Sequence, residues 1–219
     1  QMCIRDRDKV EASVGADFVS NYIWRGTDCG GVSIQPSMGV SYKGLSLAAW
    51  GSVGIDKEDA REIDLTLGYN TGGFNVSVTD YWFSYHKEDG GYTGDYFKYG
   101  AHSTIHIFEA TLGYDFGPLA LSWNTYFAGD DYTKENGDRA YSTYVGISAP
   151  FKLGGLDWSA EVGLTPWEGA YANKFNVTNL TLKAEKEIKF TNSFSLPTFA
   201  QVTFNPHTQG AYFVFGVSF

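Results

Sequence analysis

The sequence predicts an all-β protein, an antiparallel transmembrane up-and-down β-barrel of about 12 strands. Three observations predict this fold. The 219 residues include 26 Gly, 15 Tyr and 16 Phe but only 6 Pro and 2 Met, a composition that favours strands and tight turns over helices. Apolar and polar residues alternate with a period of two along most of the chain. No stretch approaches the ~18 consecutive apolar residues of a membrane-spanning helix.

Residues 1–7 lack the alternation of the remaining chain and do not resemble the end of a signal peptide. We interpret them as cloning or adapter-derived sequence, and residues 8–219 as a single outer-membrane barrel domain. Without this segment Cys29 is the remaining cysteine, so the sequence predicts no disulfide framework.

Apolar side chains at every second position predict strands of about 10 residues each. In the first strand, residues 10–18, Val10, Ala12 and Val14 alternate with Glu11 and Ser13. The other predicted strands are residues 32–42, 45–53, 63–69, 74–78, 108–114, 119–127, 141–147, 156–164, 180–188, 194–204 and 211–219.

The connections between these strands alternate between short and long. The short turns are residues 43–44, 70–73, 117–118, 153–155 and 190–193. The longer, more polar loops are residues 24–31, 56–61, 86–103, 129–140, 166–174 and 205–209. Strict alternation places all the short turns at one end of the barrel and all the long loops at the other. This is the arrangement of bacterial outer-membrane barrels, with short periplasmic turns and long extracellular loops.

A soluble β-sandwich or soluble barrel would also show alternation, because one face packs on a core. Here the polar face is mostly Ser, Thr, Gly and Asn rather than Lys and Glu, as in a confined lumen. The apolar face repeatedly ends in an aromatic residue, a pattern that membrane interfaces favour. These residues are Tyr22, Trp24, Tyr42, Tyr69, Phe74, Trp82, Phe116, Trp123, Trp158 and Phe194.

The last predicted strand alternates along its length and ends in an aromatic residue. It resembles the carboxy-terminal signal of outer-membrane proteins, which the barrel-assembly machinery reads. The resemblance implies that Tyr212, Phe215 and Phe219 form an assembly signal.

A second resemblance covers nearly the whole chain. Residues 17–26, Gln35-Pro36, the stretches at 49–52, 79–82 and 108–114, and the segment 196–206 are similar to a family of uncharacterised bacterial proteins, Gcw_chp. No substrate or catalytic residue is established for this family. The resemblance supports the barrel and leaves its activity open.

Motifs that carry chemistry are absent from the sequence. We find no nucleophile elbow, phosphate loop, zinc-protease motif or paired Cys-x-x-Cys, and therefore expect neither an enzyme nor a cofactor. His102 and His106 would lie roughly 13 Å apart on a strand, too far to share one metal ion, so we interpret them as loop-rim histidines. The acidic loop with Asp130, Asp131, Glu135 and Asp138 lacks calcium-loop spacing. We expect no metal site.

Strand parity directs a set of charged side chains into the predicted lumen. Unpaired acids in a dry core would cost several kcal/mol each, so their number indicates water inside. The alternative is that Arg25 and Lys183 tie several acids into a network that braces a plugged barrel. The predicted pore-lining residues are Asp17, Asp64, Glu109, Glu161, Glu185, Glu187, Lys183 and, on a continuation of the first strand, Arg25.

These patterns predict a passive, porin-like channel in the bacterial outer membrane for small cationic or neutral solutes. The alternative is a non-conducting barrel that serves as a scaffold or accessory subunit of an outer-membrane complex. The expected partners are outer-membrane lipid, lipopolysaccharide, the barrel-assembly machinery and small solutes. Nucleic acid is excluded as a partner, because a formal net charge of −9 repels a phosphate backbone.

Removal of Phe219, or its replacement by Ser, tests the assembly signal. The change deletes the terminal aromatic residue without touching any lumen group, so we expect loss of the heat-resistant folded barrel from membranes. Semi-native gel electrophoresis of membrane fractions measures this species. A fully assembled variant would contradict the carboxy-terminal interpretation.

Overall fold

A computed structural model describes residues 9–87, 91–191 and 194–219. The interpretation of residues 1–7 as adapter sequence lies outside these described residues. The fourteen strands are β1 (Glu11–Val19), β2 (Tyr22–Trp24), β3 (Thr27–Gly30), β4 (Ser33–Tyr42), β5 (Leu45–Gly54), β6 (Arg61–Thr71), β7 (Phe74–Ser84), β8 (Ile107–Asp115), β9 (Ala120–Gly129), β10 (Thr143–Leu153), β11 (Leu156–Thr165), β12 (Asn176–Lys189), β13 (Ser195–Asn205) and β14 (Gly210–Ser218).

Twelve of these strands, β1 and β4 to β14, form one closed antiparallel barrel. Each strand pairs with the next along the chain, and β1 closes the sheet by pairing with both β4 and β14. The predicted all-β, up-and-down barrel of twelve strands is therefore confirmed. The described part of the chain contains no helix long and apolar enough to cross a membrane.

The cross-strand register separates an apolar outer face from a polar inner face. Leu47 pairs with Leu67 on the outer face, and each is 54% exposed. Trp50 pairs with Asp64 on the inner face of the same two strands. Among the described residues, the largest fully buried side chains are all polar: His106, Glu109, Thr143, Thr165, Thr178, Thr203, Ser84 and Ser142. The barrel thus buries polar groups and exposes apolar ones, the reverse of a soluble globular domain.

The seam that closes the barrel is the shortest ladder in the sheet. β1 forms nine residue pairs with β4 but only three, from Asp17 to Val19, with β14. Backbone hydrogen bonds between Ala16 and Phe219, and from Ser20 N–H to the Phe215 carbonyl, extend the seam in both directions. The last residue of the chain therefore takes part in barrel closure.

The remaining two strands, β2 and β3, form a separate two-stranded sheet between β1 and β4. We call residues 22–30 the inward hairpin, because its side chains contact inward-facing residues of the barrel wall. Tyr22 packs on Trp50, and Trp24 packs on Tyr81. The assignment of Tyr22 and Trp24 to the ends of the outer apolar face is therefore wrong. The alternation of β1 does not continue through residue 24, because the chain folds back into the lumen.

Candidate functional site in the barrel lumen

The turn of the inward hairpin consists of Arg25 and Gly26, with φ angles of 51° and 79°. Positive φ at both central residues is characteristic of the tight turns that match strand twist in two-residue hairpins. Arg25 has a side chain that disfavours this conformation, at a cost on the order of 1 kcal/mol or more. The contacts of its guanidinium group compensate for the strained backbone.

Arg25 and Glu109 form a buried bidentate ion pair inside the barrel. The two terminal nitrogens of Arg25 donate to the two carboxylate oxygens of Glu109, at 2.5 and 2.8 Å. The side chain of Glu109 is 1% exposed and that of Arg25 is 12% exposed. Glu109 lies near the start of β8, at an inward position opposite Thr79 and Tyr126. Removing either partner would leave a buried charge uncompensated, at a cost of about 3–5 kcal/mol.

Aromatic side chains surround this ion pair. The guanidinium carbon of Arg25 lies 4.3 Å from the ring centre of Trp24, 4.8 Å from that of Tyr144 and 5.8 Å from that of Tyr171. The Tyr171 hydroxyl accepts a hydrogen bond from Arg25 at 2.6 Å. The ion pair therefore lies among π faces that stabilise a cation where little water reaches.

The tip of the inward hairpin touches the barrel wall opposite Glu109. Asn205 on β13 donates its amide to the Gly26 carbonyl at 3.0 Å. A Cβ atom at Gly26 would lie 1.9 Å from the carbonyl oxygen of Thr178 on β12. The hairpin thus spans the lumen from β8 to β12 and β13, and only glycine fits at its tip.

An acidic cavity of about 620 Å³ lies between the inward hairpin and the connections that precede β6 and follow β7. We call it the acidic cavity because Asp28, Glu58, Asp59 and Glu62 line it, with no basic side chain among its described lining residues. Cys29 also lines it. Burial, together with the nearby carboxylates of Glu62 and Asp28, raises the pKa of the Cys29 thiol to about 12. The thiol is therefore mostly protonated near neutral pH, which slows its reaction with electrophiles as long as the hairpin stays in place.

A second cavity, of about 320 Å³, lies deeper in the lumen between the hairpin and strands β9 to β13. We call it the polar cavity. Glu161 accepts hydrogen bonds from the Tyr144 hydroxyl, at 2.5 Å, and from the Asn179 amide, at 3.1 Å. Thr181 and Thr203 share a hydrogen bond of 2.8 Å on the same wall. The lining polar groups thus hold one another in fixed orientations. The other lining residues are Ile23, Trp24, Arg25, Gly26, Ser122, Asn124 and Gln201.

The predicted pore-lining residues fall into separate groups. Arg25, Glu109 and Glu161 lie together around the hairpin. Asp64 lies opposite Trp50, and Asp17 lies at the seam between Gln35 and Ser218. Lys183 pairs with Glu185 at 2.6 Å, and Glu187 accepts a hydrogen bond from Ser195, towards the end of the barrel where β12 turns into β13.

Two details of the predicted lumen are corrected. Arg25 reaches the lumen from the hairpin turn and not from a continuation of the first strand. The acids are also not uniformly unpaired, because Glu109, Glu161, Glu185 and Glu187 each have a polar or charged partner. Sequence reasoning missed the cluster of Tyr81, Tyr126, Tyr144 and Tyr171. These four tyrosines lie on separate strands and a loop, so no regular spacing in the sequence links them. For the hairpin, the sequence offers one local signal, the Arg25-Gly26 pair between two short strand-like segments.

The predicted assembly-signal residues lie on both faces of β14. Phe215 and Phe219 are exposed, at 51% and 73%. Tyr212 pairs with the buried Thr203 and therefore lies on the inner face.

His106 is not a loop-rim histidine, because its side chain is fully buried. Its Nδ1 lies 2.7 Å from an Asp80 carboxylate oxygen, and its Nε2 lies 2.7 Å from the Tyr96 carbonyl oxygen. Asp80 pairs with Leu65 and Phe108, which are outward positions of the wall. The segment before β8, which includes Tyr96 and His106, thus covers the Asp80 carboxylate on the outer face of the barrel.

The sequence matches no protein-family model, and no curated protein is significantly similar to it. The function is therefore inferred from the barrel and its lumen.

Substitution of Gly26 by Ala tests the packing of the hairpin tip. The added methyl group would overlap the Thr178 carbonyl, so we expect the hairpin to move from the wall and Cys29 to react faster with a maleimide. The measurement uses the 219-residue chain in detergent with Cys3 replaced by Ser.

Gly72→Ala is the matched control. Gly72 also has a positive φ, of 57°, but a Cβ there meets no atom within 4 Å. The control shares the backbone strain and lacks the clash, so its Cys29 reactivity should equal that of the parent. Equal reactivity in both variants would contradict the close approach at Gly26.

Proposed function

We propose that the chain is a bacterial outer-membrane barrel, similar to the Gcw_chp family, that passes small cationic or neutral solutes through a restricted lumen. It acts as a channel and not as an enzyme. The observation that carries the proposal is the arrangement of two cavities, of about 320 and 620 Å³, on either side of the inward hairpin. The hairpin is then the constriction of the pathway.

The outer face supports the membrane location. Leu, Val, Ile and aromatic side chains of the barrel strands are exposed, whereas Ser, Thr, Asn and Glu side chains are buried. A continuous exposed apolar surface of this kind is unfavourable in water and favourable in hydrocarbon. Every barrel strand has a partner on both sides, with the shortest ladder at the seam between β1 and β14, so most backbone groups of the wall are satisfied within the closed sheet, as a bilayer requires.

The charges along the lumen support a preference for cations. Four carboxylates line the acidic cavity, and Glu161 lines the polar cavity. Arg25 adds no net positive charge, because Glu109 neutralises it. Fixed carboxylates in a narrow, low-dielectric space raise the local cation concentration and exclude anions.

The alternative function is a non-conducting scaffold. One observation favours it: the inward hairpin bonds to opposite sides of the lumen, through Glu109 and through Asn205. In this case the braced barrel would support binding by its outer loops.

Planar-bilayer recording distinguishes the channel from the scaffold. Residues 21–31 are replaced by a short Gly-Ser linker, which is feasible because Val19 and Ser33 are direct register partners. We expect small cation-selective currents from the parent and currents several-fold larger from the variant, since the constriction is gone.

The matched control replaces residues 134–138 by the same linker. In this turn the Lys134 N–H donates to the Asp138 carbonyl and the Gly137 N–H donates to the Lys134 carbonyl. This control should conduct like the parent. If neither the parent nor the hairpin variant conducts, the channel is ruled out and the scaffold is supported.

Substitution of Leu121 by Arg tests the membrane-facing surface. Leu121 is 40% exposed on the outer face, whereas its neighbour Ser122 faces the lumen beside Gly146. A charge on the lipid-facing side costs about 2–4 kcal/mol at the bilayer midplane and less towards either interface, so Leu121→Arg should measurably lower the unfolding free energy in lipid vesicles. Ser122→Arg should cost much less. Equal losses at the two neighbouring positions would favour a soluble barrel.

A further inference from the structure

The groups that hold the Arg25 guanidinium belong mainly to the barrel and not to the hairpin. Glu109 supplies two carboxylate oxygens, Tyr171 supplies a hydroxyl, and Tyr144 supplies a ring face. We call these three residues the guanidinium pocket. Trp24, the other ring close to Arg25, lies on the hairpin itself.

Hydrogen bonds from neighbouring residues hold the guanidinium pocket in position. The Tyr81 hydroxyl donates to Glu109 at 2.9 Å, and the Tyr171 hydroxyl donates to the Tyr126 hydroxyl at 3.1 Å. Neither bond involves Arg25. The pocket is therefore preorganised by the barrel and its loops, which lowers the cost of binding a cation there.

Charge balance links the position of the hairpin to cation binding. Glu109 is 1% exposed, so departure of Arg25 would leave a nearly dry carboxylate without a counter-charge. A solute cation that enters the pocket restores the balance. Any state in which the hairpin leaves the lumen is thus stabilised by a cation at Glu109 and disfavoured by anions.

The shape of the pocket selects among cations. A bidentate carboxylate matches the parallel N–H groups of a planar guanidinium, and a flanking ring stacks on its face. An ammonium ion is a compact point charge and cannot form the paired hydrogen bonds. The adjoining polar cavity of about 320 Å³ has room for the rest of a small solute, beside the carboxylate of Glu161.

We infer that the guanidinium pocket is a binding site for a small guanidinium-bearing solute, and that Arg25 is a tethered occupant which this solute displaces. The inference rests on the proposed function, since it names the solute class of the same lumen. Arg25 is held at an effective concentration on the order of millimolar or higher, so displacement requires solute at a comparable or higher concentration.

The first test measures binding in a variant without the tethered occupant. Arg25→Gly removes the guanidinium and suits the positive φ at this position. By isothermal titration in detergent, methylguanidinium should bind this variant about tenfold or more tighter than methylammonium. The double variant Arg25→Gly with Glu109→Gln should not bind it. Equal affinity for both cations, or binding that survives the loss of Glu109, would overturn the inference.

The second test uses the parent barrel with Cys3 replaced by Ser. It therefore tests displacement of Arg25 even if the Arg25→Gly variant does not fold. Maleimide labelling of Cys29 reports displacement of the hairpin. Methylguanidinium at about 100 mM, far below denaturing concentrations, should accelerate labelling several-fold, whereas equimolar methylammonium should not. Identical labelling rates in the two salts would refute displacement of Arg25.

Neither readout depends on ion conduction. If the barrel carries no current but shows guanidinium-specific labelling, the channel function is ruled out and the binding site is supported. If the barrel conducts but does not show this labelling, the channel function is supported and the binding site is ruled out.

Discussion

The buried carboxylate of Glu109 sets the main constraint on the lumen. A carboxylate that is 1% exposed needs a counter-charge within hydrogen-bond distance, and the surrounding wall offers it hydroxyl groups such as that of Tyr81. The counter-charge comes from Arg25, which lies 84 residues away in the chain. This requirement draws the segment between β1 and β4 into the barrel and explains why Arg25 accepts a positive φ. The position of the hairpin, the two cavities and the aromatic surroundings all follow from this ion pair.

The same interaction changes the physical description of the lumen. Six acids and two bases on inward positions would suggest a uniformly acidic, water-filled tube. The pairing of Glu109 with Arg25 cancels two of these charges, and the Lys183–Glu185 pair cancels two more. Four further acids that were not among the predicted six, Asp28, Glu58, Asp59 and Glu62, face one space in the cavity beside the hairpin. In the proposed channel, a cation entering from that side would therefore meet these carboxylates before it reaches the hairpin.

Alternation along the strands made the barrel predictable. A closed sheet with one apolar and one polar face requires period-two patterning in every strand, and each strand carries this signal locally, as Leu45, Leu47 and Ala49 do in β5. The polar side chains on the inner face, including Asp64, Glu109 and Glu161, could be assigned to one side by parity alone. Their partners could not be assigned, because parity says which face a residue occupies and not which residues meet across the lumen.

The sequence by itself determined the strand number, the up-and-down order and the inner or outer face of the strand residues, since these depend on neighbouring positions in the chain. The tertiary structure alone decided that Tyr22 and Trp24 leave the wall, and that Arg25 reaches the lumen from a hairpin turn. It also decided that His106 is buried against Asp80. The physical reason is the same in both cases: a buried charge selects its partner by distance in space, and that distance exists only after the barrel has closed.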